Sequence, residues 1–277
     1  MPGPKRTFGL VPHVNDDRTW TALGELCALL GNGSGLLVLP HFAGSAAALA
    51  SSIETAQVDF AWVSPTLLLL SEHLSMAVPL LTSVRQGVAF FHSVLFVPAA
   101  SPIGSVEDLA GKSVGWVART SASGYIVPRL DLVRRGIDVR AFFGRQVLCD
   151  SHAAVAWKVH RGEVEVGASY AVFEDGDPGR TLVKSGFLDF VPELDARIID
   201  VAGPIPSDMI IADPRVPIEE RAAFASTLAK LAAEPAGARY IKAVMGVDEF
   251  RSISHEAVRE LADLIATGRK MGALESS

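Results

Sequence analysis

Five consecutive residues, Thr120-Ser121-Ala122-Ser123-Gly124, put three hydroxyls into four positions. The residues after them, Tyr125, Ile126, Leu130, Leu132 and Val133, have the spacing of an amphipathic helix. A loop of this kind has oxyanion chemistry available to it. Free backbone N–H groups, the positive end of a helix dipole and small hydroxyl donors converge on one spot. The same residues also read as a plain Ser/Thr helix cap with no ligand. His152 opens a second predicted helix, where its ring can cap the helix or donate to an anion. Acid–base work would need a pair, His152 with Asp208 or with Glu174, and no catalytic motif surrounds either one. The seven histidines are scattered without His-x-x-x-His spacing, so a metal centre has no support.

The elements that must hold these residues alternate almost from the start, as in an α/β protein. Upstream of the hydroxyl loop, Ser105 is expected to cap a short helix with Asp108 as its capping-box partner and Gly111 ending it. Lys112 then leads into an apolar strand, Ser113 to Ala118. Earlier strands are predicted at Thr7 to Val11, Leu36 to Leu39 and Val58 to Val63, with extended segments at Ala77 to Val84 and Val88 to Val97. A helix capped by Asp16 or Asp17 is expected to end in the loop Gly31-Asn32-Gly33-Ser34-Gly35. An Ala-rich helix spans Ser45 to Ile53, and Ser64-Pro65 opens another with Pro at its tolerated first position. Beyond the loop come a strand at Ala141 to Leu148, a helix from about His152 to Arg161 and a strand at Val164 to Ser169. Strands at Arg197 to Val201 and Met209 to Ala212 precede a helical tail from Pro217. Trp62 and Trp116 lie inside strands and read as core. Tyr170 and Glu174 follow the strand after His152, at the end where parallel sheets bind ligands; Glu174 is expected in a solvated loop.

At 277 residues, 49% hydrophobic and 20% charged, the chain has ample core for one large domain or two moderate ones. Net charge is −6 with no Lys/Arg stripe, which argues against a nucleic-acid partner and requires any anion site to be local. Cys27 and Cys149 lie far apart in apolar contexts without a Cys-x-x-Cys pattern, and read as buried small hydrophobes. No run approaches the roughly 18 to 20 apolar residues of a membrane span. The start, Met1 to Arg6, lacks the apolar region of a secretory signal. The expectation is a cytoplasmic protein if Met1 is the native start, or a trimmed mature chain otherwise.

The order of four segments resembles the phosphate/phosphite/phosphonate-binding proteins of ABC transporters, over nearly the whole chain from Phe8-Gly9-Leu10-Val11-Pro12 to the last helices. They are Gln57-Val58-Asp59-Phe60-Ala61-Trp62; Phe91-His92-Ser93-Val94-Leu95-Phe96-Val97 with Ser101-Pro102-Ile103; Val106 to Lys112 followed by Ser121-Ala122-Ser123-Gly124-Tyr125; and Ser151-His152-Ala153-Ala154-Val155 through Gly162 to Ala168, with Ile205-Pro206-Ser207-Asp208 downstream. The resemblance implies a type II periplasmic binding protein fold. Two α/β lobes, 1–94 plus 204–277 and 95–203, would each hold a mostly parallel sheet flanked by helices. Two crossing hinge strands would join them, near Ser93 to Val97 and Val201 to Pro204, and the ligand would lie in the cleft.

By the same resemblance Ser121, Ser123 and His152 hold the oxyanion, Asp208 faces it, and Ala122, Phe42 and Phe91 adjoin it; Ser64 and Tyr170 are further candidate ligand contacts. No cofactor is implied. The partners implied are a small oxyanion and, for an exported protein, an ABC permease. The sequence departs from the family pattern by carrying Phe42 and Phe91 where the family has tyrosines, and Ala122 where it has Thr; His13, His41 or His92 are the neighbours able to replace the lost donors. Cytoplasmic enzymes resembling chorismate dehydratase, and cytoplasmic ligand sensors, are the alternatives on the same fold.

Overall fold

The computed structural model describes residues 3–11, 16–71, 74, 76–253 and 255–270. In chain order the elements begin with β1 (Lys5–Leu10), α1 (Asp17–Ser34), β2 (Leu37–Phe42), α2 (Ala46–Glu54), β3 (Phe60–Val63), α3 (Pro65–Leu70), β4 (Val78–Val84) and β5 (Phe90–Pro98). There follow β6 (Ser113–Trp116), α4 (Val127–Arg134), α5 (Val139–Phe142), β7 (Arg145–Leu148), α6 (His152–His160), β8 (Val166–Phe173), β9 (Leu182–Ser185) and β10 (Ala196–Pro206). The chain closes with β11 (Met209–Ala212), α7 (Ile218–Ala233), α8 (Pro235–Met245), β12 (Glu249–Ser252) and α9 (His255–Lys270). Two compact units result, Met1–Ala89 with Ser207–His255, and Phe90–Pro206 with Glu256–Ser277.

In the first unit the strand order is β12-β4-β11-β3-β1-β2. β1 runs parallel to β2 and β3, while β11 is antiparallel to β3 and β4, and β12 to β4. All four residues of β3, Phe60-Ala61-Trp62-Val63, are buried, as a central strand covered on both faces requires. Three helices start on local caps: Asp16 Oδ1 accepts from Thr19 N (2.8 Å), Ser45 Oγ from Ala48 N (3.1 Å) and Ser64 Oγ from Leu67 N (3.2 Å).

Helix α1 buries Leu23, Leu26, Cys27 and Leu30 in a core shared with Phe224 and Leu228 of α7. It does not stop at Gly31 as expected but runs to Ser34, and Gly35 ends it with φ +74°. Gly31 and Gly33 serve close packing instead of a turn. A Cβ on Gly33 would lie 2.5 Å from Thr227 Cγ2, and one on Gly31 2.9 Å from the Leu36 carbonyl. Gly24, on the same helix, has open space where a Cβ would sit. Gly24→Ala is therefore expected to stabilise the protein by about 0.5–1 kcal/mol through helix propensity; a lower urea midpoint for the variant would contradict this.

In the second unit the order is β10-β5-β8-β6-β7, with β9 paired to β8. β6 is parallel to β7 and β8, whereas β5 is antiparallel to both β8 and β10. Both sheets are therefore mixed, not mostly parallel. The α/β class stands. The core stacks Phe96 on Phe187 (4.4 Å, 16°) among Val155, Val159, Val164 and Leu194.

Three further expectations need correction here. The strand expected at Ala141 to Leu148 is split, because the Asp138 carboxylate accepts from Arg140 N (3.1 Å) and starts α5, leaving only Arg145–Leu148 for β7. Val106, without a side-chain cap, precedes the 3-10 turn Glu107–Leu109. The Ser105 hydroxyl does not cap it but donates to Asp108 Oδ2, whereas the expected partner role of Asp108 holds, its Oδ2 accepting from Ser105 N–H (3.0 Å). Helix α4 is not amphipathic but buried from Val127 to Val133, Arg129 and Asp131 included. Asp131 is compensated by ion pairs with Arg134 (2.7 Å) and Arg135. Cys27 and Cys149 are free and buried, and burial pushes the Cys27 thiol up to about 12.

Candidate functional site

The hydroxyl loop leaves β6 and folds back on it. Val117 N donates to the Gly124 carbonyl (2.9 Å), and Ser121 N to that of Ala118 (2.9 Å). The following helix opens with a π turn, Ala122–Ile126, capped by Ser121, whose Oγ accepts from Gly124 N (3.1 Å). The first N–H groups of any helix have no intrahelical acceptor. Here they belong to Ala122 and Ser123, the opening residues of the turn. Capping and anion binding are thus compatible at Ser121: its oxygen accepts from the backbone, and its proton stays available to donate. Ser123 is buried, and its carbonyl accepts from Ser93 Oγ (2.7 Å), which anchors the loop to β5.

The same end of the sheet holds His152, Ser169 and Tyr170. Ser93 of β5 is registered opposite Tyr170 of β8, and β8 lies parallel to β6. His152 is the first residue of α6, behind the cap Ser151. Its Nδ1 lies 2.9 Å from Ser169 Oγ, and its ring meets Tyr170 edge-on at 5.0 Å. Tyr170 donates its hydroxyl to Asp189 Oδ2 (2.9 Å), and burial raises its pKa. The second unit therefore brings Ser121, Ala122, Ser123, His152 and Tyr170 to one end of one sheet. Phe91 is half-buried on β5, opposite Ile205 of β10.

The first unit holds the remaining residues separately. Phe42 ends β2 with its ring edge-on to Trp20 (4.1 Å). Ser64 caps α3 and lies 3.2 Å from Thr66 Oγ1. Asp208 Oδ2 accepts from Arg85 Nη2 (2.9 Å), and the same guanidinium reaches the Met245 carbonyl and lies 5.8 Å from the Trp62 ring centre. Trp62 and Trp116 are core residues, with Nε1 donating to Ser83 Oγ and Gln146 Oε1 respectively.

Of the donors expected to replace the missing hydroxyls, His13 lies outside the described residues and His41 is half-buried on β2. His92 is buried against the rings of Phe90 and Phe173, and among the described residues its Nδ1 has no hydrogen-bond partner. Glu174 is exposed, as expected. Residues that the sequence reading missed are Ser93, Ser169, Asp189 and Arg85. A signal existed for the two serines: each is a small hydroxyl inside an apolar strand run, and such a group, fully buried here, needs a partner.

Burial pushes His152 from 6.5 down to about 4. Between these values the unfolded chain binds the extra proton, so stability is full above about pH 6.5 and falls as the pH drops toward 4. The contribution is on the order of 3 kcal/mol. His92 is depressed by burial in the same direction, so the test is a difference. His152→Gln should flatten the stability profile of the ligand-free protein between pH 7 and pH 4.5 in urea unfolding, and an unchanged slope would contradict the assignment.

Among the described residues no cluster of His, Cys, Asp or Glu could hold a metal, and no helix is long and apolar enough to cross a membrane. No curated protein sequence matches the chain significantly. Solved structures similar in fold include XAC2383 from Xanthomonas citri bound to ATP, at TM-score 0.78 and 22% identity, covering 99% of this chain and 100% of that one. The binding protein component of an ABC phosphonate transporter from Pseudomonas aeruginosa (PA3383) follows at TM-score 0.68 and 18% identity, with 98% and 88% covered. PhnD1 from Prochlorococcus marinus in complex with methylphosphonate gives TM-score 0.66 and 14% identity, with 97% and 98% covered. Residues 8–258 match the family model for the phosphonate-type periplasmic substrate-binding protein of ABC transporters. The two mixed α/β units thus have a type II periplasmic binding protein fold, and the chain belongs to the phosphonate ABC transporter substrate-binding family.

Proposed function

We propose that this chain is a non-catalytic solute-binding protein that captures a small phosphonate- or phosphite-like oxyanion on the Ser121–Gly124 loop and delivers it to an ABC permease. The observation that carries this reading is the gathering of the capped helix start, Ser123 and His152 at one end of the second unit's sheet. Family membership supports the transport role. His152 Nδ1 is partnered by a serine hydroxyl, not a carboxylate, which favours binding over acid–base catalysis.

The donor set also narrows the ligand. On the second unit Phe91 and Ala122 bring no hydroxyl, and the Tyr170 hydroxyl is committed to Asp189. A charge-assisted hydrogen bond is worth about 1.5–3 kcal/mol, so a site with fewer donors favours an anion with fewer acceptors to satisfy. Phosphite, with one oxygen less than phosphate, is the best match. Thermal unfolding with phosphite, methylphosphonate, 2-aminoethylphosphonate and phosphate at matched ionic strength tests this. Phosphite or methylphosphonate should raise the midpoint by several degrees, since ligand at 100 times its Kd adds about 2.7 kcal/mol. No shift with any of the four at millimolar concentration would contradict the ligand class.

A further inference from the structure

Ser169 lies inside β8, registered opposite Val94 of β5, and is fully buried. The chain after β9 closes over its hydroxyl: a Cβ on Gly186 would lie 2.4 Å from Ser169 Oγ, and Gly186 N donates to the Tyr170 carbonyl (3.0 Å). Among the described residues the one hydrogen-bond partner of Ser169 Oγ is His152 Nδ1, at 2.9 Å. The other ring nitrogen, Nε2, makes no hydrogen bond among the described residues, yet it is not one of the polar atoms buried without a partner. Nε2 of the half-buried His152 therefore reaches solvent.

A neutral imidazole has one proton for its two nitrogens, and burial, which pushes the ring down to about 4, keeps it neutral at pH 7. Two arrangements satisfy the 2.9 Å contact. If Nδ1 held the proton and donated to Ser169 Oγ, the hydroxyl's own proton would be left in the core with no acceptor among the described residues. If the hydroxyl donates to Nδ1, both groups are satisfied. A donor buried without an acceptor is disfavoured about 5- to 30-fold, so the second arrangement prevails. We infer that Ser169 is a positioning residue: it donates to His152 Nδ1 and thereby holds the imidazole in the tautomer whose Nε2–H meets solvent as an uncharged donor. The sign of the histidine's contribution depends on this. An Nε2–H attracts an anionic oxygen, whereas the lone pair of the opposite tautomer would repel one. The use of that donor by a ligand rests on the oxyanion role proposed for His152; the tautomer is a property of the ligand-free protein.

The test is long-range 1H–15N correlation NMR at pH 7 on 15N-labelled, ligand-free protein, with His152→Gln identifying the His152 signals by their loss. The wild type should show a pyridine-type Nδ1 and a pyrrole-type Nε2. In Ser169→Ala, which removes the hydroxyl and leaves the backbone ladder intact, the two shifts should move toward each other as the Nδ1–H form becomes populated. Affinity for phosphite and methylphosphonate, by calorimetric titration, should fall about 5-fold or more in the same variant. An Nδ1–H tautomer or an imidazolium in the wild type overturns the assignment, and does so even if the variant fails to fold. An unchanged His152 spectrum in Ser169→Ala overturns it too, as does equal affinity of the two proteins for an anion that binds. The expected spectra, with neither anion bound by the wild type, would uphold Ser169 as the determinant of the tautomer and contradict the oxyanion role instead.

Discussion

Phe224→Ala is expected to cost about 3–5 kcal/mol of stability, the range for deleting a fully buried aromatic ring. Phe8 of β1 and Phe60 of β3 are registered side by side in the first unit's sheet, and α7 lays Phe224 across both. The Phe224 ring stacks on Phe60 (3.9 Å, 5°) and meets Phe8 edge-on (5.5 Å, 62°), with all three rings fully buried. Truncation removes the transfer free energy of the ring and the aromatic contacts, and leaves a cavity that two strands of a sheet are poorly able to fill. Urea unfolding at neutral pH measures it as a lower midpoint with unchanged slope. A loss below about 1 kcal/mol would mean that the stack contributes little to the unit's core.

Gly124→Ala should have the largest effect on ligand binding for a change of one methyl group. Its Cβ would sit 2.5 Å from Val117 Cβ and 3.0 Å from Ser121 Oγ. Val117 cannot withdraw easily, because its own N–H is bonded to the Gly124 carbonyl. Overpacking of this kind costs about 1–3 kcal/mol. Relief requires the loop to move off the strand, which carries the Ser121 cap and the first N–H groups of the π turn away from a shared ligand. Losing one charge-assisted contact already weakens binding about 10-fold or more, and losing two would weaken it about 100-fold or more. Val117→Gly in the Gly124→Ala background removes the Val117 atoms that the new methyl would strike and should restore part of the affinity. Wild-type affinity in the single variant would show that the loop's backbone is not the binding element.

The features legible in the sequence were those made by local interactions. Asp16 and Ser64 could be read as helix starts because a cap bonds to N–H groups two or three residues away. The Ser121 loop was legible for the same reason. Burial that depends on distant partners was not. Arg129 and Asp131 look like the solvent face of α4, yet both are buried, one over two aromatic rings and the other between arginines. Asp208 read as a turn residue or a ligand contact, whereas its ion pair with Arg85 spans 123 positions of sequence. Strands β9 and β12 lacked an apolar run because each pairs on only one side and carries charged residues, as edge strands do. For the candidate site, the hydroxyls and His152 could be listed from sequence. Their assembly depends on the Ser93–Ser123 and His152–Ser169 contacts, which follow only from the pairing of β5, β6 and β8.

The central claim is that an oxyanion is captured on the Ser121–Gly124 loop, and calorimetric titration of phosphite and methylphosphonate into the wild type and into Ser121→Ala with Ser123→Ala tests it most directly. The account predicts saturable one-site binding to the wild type for at least one of the two, falling about 100-fold or more when both hydroxyls are removed. Absence of heat with both anions, or equal affinity in the two proteins, would contradict it.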